Sequence, residues 1–538
     1  MYKRYTGQVS MLESPEMFGS LPLDPNNDWI KLSKYVPWRE FDLKYTGNFK
    51  SKKGQRACDS RMALGSVLIK IDYKGMSDED LTKEIAMNPY LQYFLGLHEY
   101  RYECPFDASM MTRFRQRISA EMLAWVNDEI IGRQAAAEKE EEDHKDDDSD
   151  SSGSSGEEES TRGENEEENQ GTLIPDAACV LQNKEDSGSS ENGAQEESTS
   201  GENEEENQGT LILDATCVPQ NIRFPTDASL LNEGRQKAEE IIDILHENGL
   251  TEGKKPRTYR EKAQKKHNSF SKARKKTGKM IRNEIRQQLG FLRRDLGIID
   301  SIEEKHPGCL KETLPVRKQE MLQVIRTLYS QQEYMYRTKT HKVDDRIVSI
   351  SQPWVRPIVR GKQTADVEFG AKVEMSVVNG FLRIEDLRWD AYNESTTFQD
   401  SVESYRKAYG HYPKRVLADT IFRTRENMRY CKEHRIHLNG PKLGKPYADP
   451  AIQRQQKKLE WQESGERGEI ERNFGVGKRR YCLDCIVTKL KETSEVMIHA
   501  SVLYMNLRKK LRLLLRLFFN WLRNTIQNRL EGELLAFV

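Results

Sequence analysis

The sequence predicts an α/β fold in which a few short strands are separated by long helices. Apolar strand patterns at residues 209–218 and 415–419 each contain one acidic residue. Alternating patterns on either side of Asn379 and Gly380 predict a β-hairpin with a two-residue turn. Helical periodicity fills residues 227–337. The order is therefore strand, helical insertion, hairpin, helix, strand and helix.

Charge is distributed unevenly along the chain. Residues 137–210 contain 26 acidic and 4 basic residues, a net charge of −22, so the remaining residues carry +21. The segment 136–208 is also rich in Ser and Gly, which predicts a disordered linker. A folded remainder with that much positive charge indicates a polyanionic partner.

The acidic segment contains a tandem duplication. Residues 164–174 recur unchanged at 202–212, an offset of 38 residues. Pro175 interrupts the first copy, whereas the second copy leads directly into the rest of the fold. We therefore expect Asp214 to be the functional aspartate and Asp176 its vestigial copy.

Residues 1–135 predict a small domain of short helices. The helix expected at 107–118 has an apolar face, with Arg113, Arg115 and Arg117 expected to point outward. That pattern is compatible with DNA binding of the helix-turn-helix kind. An ordinary helical domain explains the same pattern equally well.

The helical insertion at about 227–339 is strongly basic between residues 254 and 294, a stretch that includes Lys275 and Lys276. A run of charges is often only a solvated helix face. The density of Lys and Arg, with few acidic residues between them, favours a phosphate-binding surface here. A further strand is expected after the insertion, at 345–351.

Three acidic residues are candidate catalytic residues: Asp214, Asp419 and Glu471. Asp214 interrupts an apolar strand, where an unpaired carboxylate is costly and usually serves as a ligand or a paired group. Asp419 ends a strand, at the edge of the sheet where ligands bind. Together the three carboxylates could hold two Mg²⁺ ions, with Mn²⁺ as a substitute, about 3.5–4 Å apart for in-line displacement at phosphorus.

Glu471 shares a predicted helix face with Arg467 and Lys478, because the spacings are four and seven residues. Cations beside a metal-binding acid would hold DNA phosphates, and we extend that expectation to Arg472, Arg479 and Arg480. The simpler alternative is a solvated helix with an ion pair worth a few tenths of a kcal/mol. Gly475 and Gly477 are expected to let DNA approach the helix closely.

With these residues assembled, the sequence resembles the DDE-type insertion-sequence transposases. Arg467, Glu471 and Lys478 match the last three positions of the family's Tyr-x2-Arg-x3-Glu-x6-Lys signature, with Ser464 at the tyrosine position. The surroundings of Asp214 and Asp419 resemble the family's two aspartate motifs. Residues 105–115 resemble part of its N-terminal DNA-binding domain.

The resemblance implies an RNase H-like mixed-sheet catalytic core at 209–505, between the helical N-terminal DNA-binding domain and a C-terminal basic amphipathic helix at 506–538. It implies Mg²⁺-dependent cleavage at element ends and joining of the 3′-OH to target DNA. The implied partners are double-stranded DNA with terminal inverted repeats and a second copy of the chain. Two alternatives are a non-catalytic DNA-binding relic or regulator, and an RNase H-like nuclease acting on other nucleic acid.

No segment of the sequence predicts a membrane span. The most apolar run, 511–522, is too short and is interrupted by Arg512 and Arg516. The residues after Met1 lack the apolar core of a signal peptide. We expect a cytoplasmic, nucleoid-associated protein.

Overall fold

The computed structural model describes residues 15, 18–19, 21–49, 57–132, 206–251, 253–362, 365–441, 444 and 449–536. Asp176 and almost all of the predicted linker at 136–208 lie outside these residues. Residues 1–134 and 207–538 belong to one compact unit. In the described part of that unit, no helix is long and apolar enough to cross a membrane.

A mixed six-stranded sheet organises the molecule. Its strands are β1 (Thr210–Pro219), β2 (Arg356–Lys362), β3 (Ala365–Val378), β4 (Phe381–Arg388), β5 (Arg415–Ala418) and β6 (His437–Leu438). β1 is central, antiparallel to β3 on one side and parallel to β5 on the other, while β6 extends the sheet beyond β5. β2 and β4 pair with successive parts of β3. The predicted mixed α/β fold is confirmed.

β1 is an almost continuous apolar run because both faces of this central strand are covered. Leu211 and Leu213 pack into a cluster on one face, whereas Ile212 and Val218 join the main core on the other. The hairpin between β3 and β4 turns at Asn379-Gly380, where both residues have positive φ, 50° and 78°. A two-residue type I′ turn requires those angles.

The strand predicted at 345–351 is wrong. This stretch is an irregular connection, and β2 is the first strand after the insertion. Ile347 and Ile350 pack against the insertion helices, whereas Val348 joins the main core. The backbone N–H of Ile347 donates to the side chain of Gln331 at 3.0 Å instead of to a neighbouring strand. The apolar residues of this stretch therefore join two cores rather than cover one sheet face.

The N-terminal helices pack against the same core as the sheet. They are α1 (Asp28–Ser33), α2 (Trp38–Thr46), α3 (Ser60–Asp72), α4 (Asp78–Met87), α5 (Pro89–Phe94), α6 (Met110–Arg117) and α7 at 120–132. Asn127 in α7 donates to the carbonyl of Leu382 in β4 at 3.0 Å. Asn506, on the last helix, α16 (Lys491–Ala536), donates to Asn127 at 2.7 Å. The boundary expected between residues 505 and 506 lies inside α16.

In the described residues between β1 and β2, the chain forms α8 (Asp227–Glu247), α9 (Arg260–Lys272), α10 (Gly278–Lys305), α11 (Cys309–Thr313) and α12 (Val316–Thr338). They have a hydrophobic cluster of their own. A polar cluster is also buried here, in which Arg235 pairs with Glu239. Asp295 is 0% exposed, and neither of its carboxyl oxygens has a hydrogen-bond partner among the described residues. Burial, and then the charge of Glu239, raise the pKa of Asp295 to about 8.

After the hairpin come α13 (Phe398–Tyr409), α14 (Arg425–Glu433) and α15 (Pro450–Arg480). α15 crosses β1 and β5 and continues unbroken through both Gly475 and Gly477. Gly477 is buried, and a Cβ there would lie 2.7 Å from Leu483 and 3.1 Å from Met505. The expectation that Gly477 admits DNA is therefore wrong, because this glycine lets α15 pack closely against the protein.

We predict opposite effects of alanine at the two glycines of α15. Gly477→Ala should lower the free energy of unfolding by about 1–3 kcal/mol, because the new methyl group overpacks Leu483 and Met505. The matched control Gly475→Ala meets open space and should raise stability by up to about 1 kcal/mol. Urea unfolding of both variants measures this, and equal shifts would contradict the packing role of Gly477.

We also predict that Asp295 makes stability depend on pH. The unfolded chain releases this proton near pH 4, whereas the folded protein retains it up to about pH 8. The folded state thus binds more protons in this window, and the free energy of unfolding falls as pH rises through it. Relative to the parent, Asp295→Asn should therefore gain about 4 kcal/mol of stability between pH 5 and pH 9.

The control is Asp300→Asn, an exposed acidic residue of the same helix that pairs with Arg326. Its effect on urea unfolding should be equal at pH 5 and pH 9. If the stability difference between Asp295→Asn and the parent is the same at both pH values, the prediction is contradicted.

Candidate active site

Asp214 and Asp419 lie side by side because β1 and β5 pair in parallel. Leu213 lies opposite Ala418 in that ladder, and the two aspartates are the next residues of their chains. Adjacent strands are about 4.8 Å apart. The fold thus joins two acidic residues that are 205 positions apart in the sequence.

The carboxylate of Asp214 is largely withdrawn from solvent, with 16% of its side chain exposed. Its Oδ1 accepts the N–H of Ala215 at 2.8 Å. Burial raises the pKa of Asp214 to about 6, and the charges of Glu394 and Asp419 act in the same direction against Ala215 and Arg467. A desolvated carboxylate near other acidic groups is an environment that favours a bound cation.

Asp419 is exposed and begins a short 3-10 turn, Thr420–Phe422. Its Oδ1 accepts the backbone N–H of Thr420 at 2.7 Å and lies 3.3 Å from the hydroxyl of the same residue. These contacts orient the carboxylate at the end of β5.

Glu471 approaches from α15, and an arginine lies between it and Asp214. Arg467 Nη2 is 2.9 Å from Glu471 Oε1, and Nη1 of the same guanidinium is 3.6 Å from Asp214 Oδ2. Lys478 is further along this helix face, and its backbone carbonyl accepts Lys74 Nζ at 2.7 Å. The structure thus brings Asp214, Asp419, Arg467 and Glu471 into one site.

The donor chemistry suits a divalent cation with a preference for oxygen, because Asp214 and Asp419 supply carboxylates from adjacent strands. Within the described residues, however, no group of three or more His, Cys, Asp or Glu side chains is arranged to hold a metal ion. Glu471 is engaged by Arg467 instead.

Sequence reasoning missed Glu394. Its side chain is paired with Lys372 of β3 at 2.8 Å, and its charge contributes to the raised pKa of Asp214. Glu394 precedes α13 in a short 3-10 turn, a position where acidic residues are common. No signal in the sequence distinguishes it from a surface residue, so only the fold shows that it acts on the site.

The other predicted DNA-binding residues do not all lie beside this site. Arg472 is about 140° around α15 from Arg467, given the helical repeat. It lines a groove of about 1220 Å³ with Trp461 and Lys509, between α15, α16 and the β3–β4 turn. Exposed basic residues include Arg479 and Arg480 at the end of α15, and Lys275 and Lys276 before α10.

In the N-terminal helices, Arg113 is exposed, but the prediction that Arg115 points outward is wrong. Arg115 is 8% exposed and forms a two-pronged contact with Asp78 of α4, at 2.6 and 3.3 Å. α6 packs against α3, from which Lys70 contacts the same aspartate at 3.1 Å. Arg115 therefore stabilises the helical packing.

Two family models match the chain in these regions. One, described as Transposase domain (DUF772), matches residues 20–117, and the other, described as Transposase DDE domain, matches residues 416–508. Residues 416–508 are therefore similar to a transposase DDE domain. The resemblance to insertion-sequence transposases is confirmed. A DDE domain implies an RNase H-like fold, and the matched region includes β6 and most of β5 of the mixed sheet. Asp419, Glu471 and Lys478 lie inside the match, whereas Asp214 lies outside it and joins the site through the fold.

A search of curated proteins found the uncharacterized protein ORF8 in the nfe locus of Rhizobium meliloti. It is 33% identical over 101 residues, which are 19% of this chain and 48% of the relative. The chain therefore spans about half the length of the relative that it matches. No solved structure matches the chain.

We predict that the two arginines of α6 differ in their effect on stability. Arg115→Gln should lower the free energy of unfolding by about 2 kcal/mol, because it removes the charged contact with Asp78. The matched variant Arg113→Gln should change it by less than about 0.5 kcal/mol, since that side chain is exposed. Urea unfolding decides the point, and similar losses in both variants would contradict the buried role of Arg115.

Proposed function

We propose that the protein is a DNA transposase that cuts DNA at the ends of an insertion sequence and joins the freed 3′-OH to target DNA. The convergence of Asp214, Asp419 and the Glu471 helix face on one RNase H-like sheet carries this proposal. The two transposase-domain matches support it, since they cover both the N-terminal helices and the region that contains Asp419 and Glu471.

Asp214, Asp419 and Glu471 are the residues that would hold divalent cations, Mg²⁺ or its substitute Mn²⁺. Two such ions supply activation of the attacking oxygen and stabilisation of the leaving oxygen at phosphorus. The chain contributes the positions of the carboxylates. The pairing of β1 at the centre of the sheet fixes the position of Asp214. The contacts with Thr420 orient Asp419, and α15, which crosses both strands, positions Glu471.

Arg467 and Lys478 bind phosphates of the DNA next to the reacting bond, because they share a helix face with Glu471. Arg479 and Arg480 extend this basic face at the end of α15. Arg113, Lys275 and Lys276 are exposed outlying contacts for the DNA backbone. The partner is double-stranded DNA with terminal inverted repeats, held by a homodimer at the nucleoid.

We predict that Glu471→Gln, Asp214→Asn and Asp419→Asn each lower DNA cleavage by at least about a hundredfold, because each removes a charge that stabilises the transition state. Affinity for the same DNA should persist. The assay uses purified full-length protein, Mg²⁺ and labelled duplexes from the two borders of its gene. Glu469→Gln is the matched control, since this acidic residue of the same helix pairs with Lys509 instead.

Each alternative function gives a different result in this assay. Tight binding of the border DNA by the parent, without cleavage, would indicate a DNA-binding relic. Equal cleavage of unrelated duplexes or of RNA would indicate a nuclease of the same fold. Cleavage unaffected by the three acidic substitutions would place the active site elsewhere.

A further inference from the structure

Arg467 occupies the space between two of the carboxylates that would bind metal. Its guanidinium contacts Glu471 through Nη2 at 2.9 Å and approaches Asp214 through Nη1 at 3.6 Å. The planar fork of an arginine is suited to bridging oxygens in this way, since its donors are held in fixed directions. The two acidic side chains belong to different elements, a central strand and the helix that crosses it.

The surroundings explain why a cation is needed here when metal is absent. Asp214 is mostly buried, and its Oδ1 is engaged by Ala215, so Oδ2 is the atom that Arg467 approaches. Asp419 and Glu394 add negative charge near it. Lys372 is paired with Glu394. Arg467 therefore compensates the buried carboxylate on the side that faces α15.

We propose that the Arg467 side chain blocks the metal site as a removable plug. DNA displaces it, and metal binding is thereby coupled to DNA binding. This inference rests on the proposed function. A divalent ion held by Asp214 and Glu471 would need carboxylate oxygens that Arg467 contacts, so the ion and the guanidinium would compete. A DNA phosphate offers the guanidinium a new two-pronged partner. DNA thus draws Arg467 away and frees Glu471 as a metal ligand.

The test is Mn²⁺ binding by the full-length protein without DNA, measured by isothermal titration calorimetry. Arg467→Gln should bind Mn²⁺ about tenfold more tightly than the parent, a typical size for coupling between two sites. Arg467→Lys should also bind more tightly than the parent, because an ammonium group cannot bridge both carboxylates. Arg454→Gln removes an exposed charge from the same helix and should match the parent.

A duplex from the element border supplies the second arm, with the duplex alone titrated as a blank. DNA should increase the Mn²⁺ affinity of the parent and of Arg454→Gln, but change that of Arg467→Gln little. An Arg467→Gln protein that binds Mn²⁺ no more tightly than the parent would contradict the proposal that Arg467 blocks the metal site. So would an Arg467→Lys protein equal to the parent, since net charge alone would then set the affinity.

Failure of the proposed function gives a different result. Asp214→Asn should bind Mn²⁺ more weakly than the parent with DNA present. If it binds equally well, these carboxylates are not the metal site. If it loses affinity while Arg467→Gln matches the parent, the metal site stands and only the plug is overturned. Circular dichroism confirms that each variant is folded, and Arg467→Lys carries the test if Arg467→Gln does not fold.

Discussion

The position of β1 at the centre of the sheet is the constraint on which the rest of the structure depends. This strand pairs with β3 from Ile212 to Pro219 and with β5 from Thr210 to Leu213. The pairing with β5 ends at Leu213, so the side chain of Asp214 lies just beyond it, where Arg467 of α15 approaches. A strand hydrogen-bonded on both sides resists local opening. The largely buried carboxylate of Asp214 is therefore held by a firmly attached strand.

The insertion between β1 and β2 does not disturb this arrangement because it has a core of its own. Its helices bury their apolar faces against one another, and the connection through Ile347 and Val348 joins that core to the sheet. Loop-closure entropy rises only slowly with length. A long helical excursion can therefore leave the central strand, bury its apolar faces in its own cluster and return to the sheet.

Local patterns in the sequence were sufficient for the elements that close locally. The hairpin at Asn379-Gly380 follows from turn chemistry, and Arg467, Glu471 and Lys478 share a face because of helical spacing. The predictions failed where contacts between residues far apart in the sequence determine the structure. Ile347 and Val348 belong to a strand-like apolar stretch but join two separate cores. Arg115 resembles an exposed helix residue but pairs with Asp78, and Gly477 fits against Leu483 and Met505. The role of Glu394 could not be predicted either, because its effect on Asp214 passes through space.

The site also shows why a buried acidic residue can persist in a strand that otherwise favours apolar side chains. Burial destabilises the ionised form of Asp214, and the nearby acidic groups increase that penalty. Arg467 offsets part of this penalty, but it contacts carboxylate oxygens that metal ions would need under the proposed function. An apolar residue at 214 would fit the strand better, yet it would leave Arg467 with only the exposed Glu471 as a partner. The arginine and the buried aspartate therefore form one electrostatic unit, and under the proposed function stability without DNA and readiness for metal oppose each other in it.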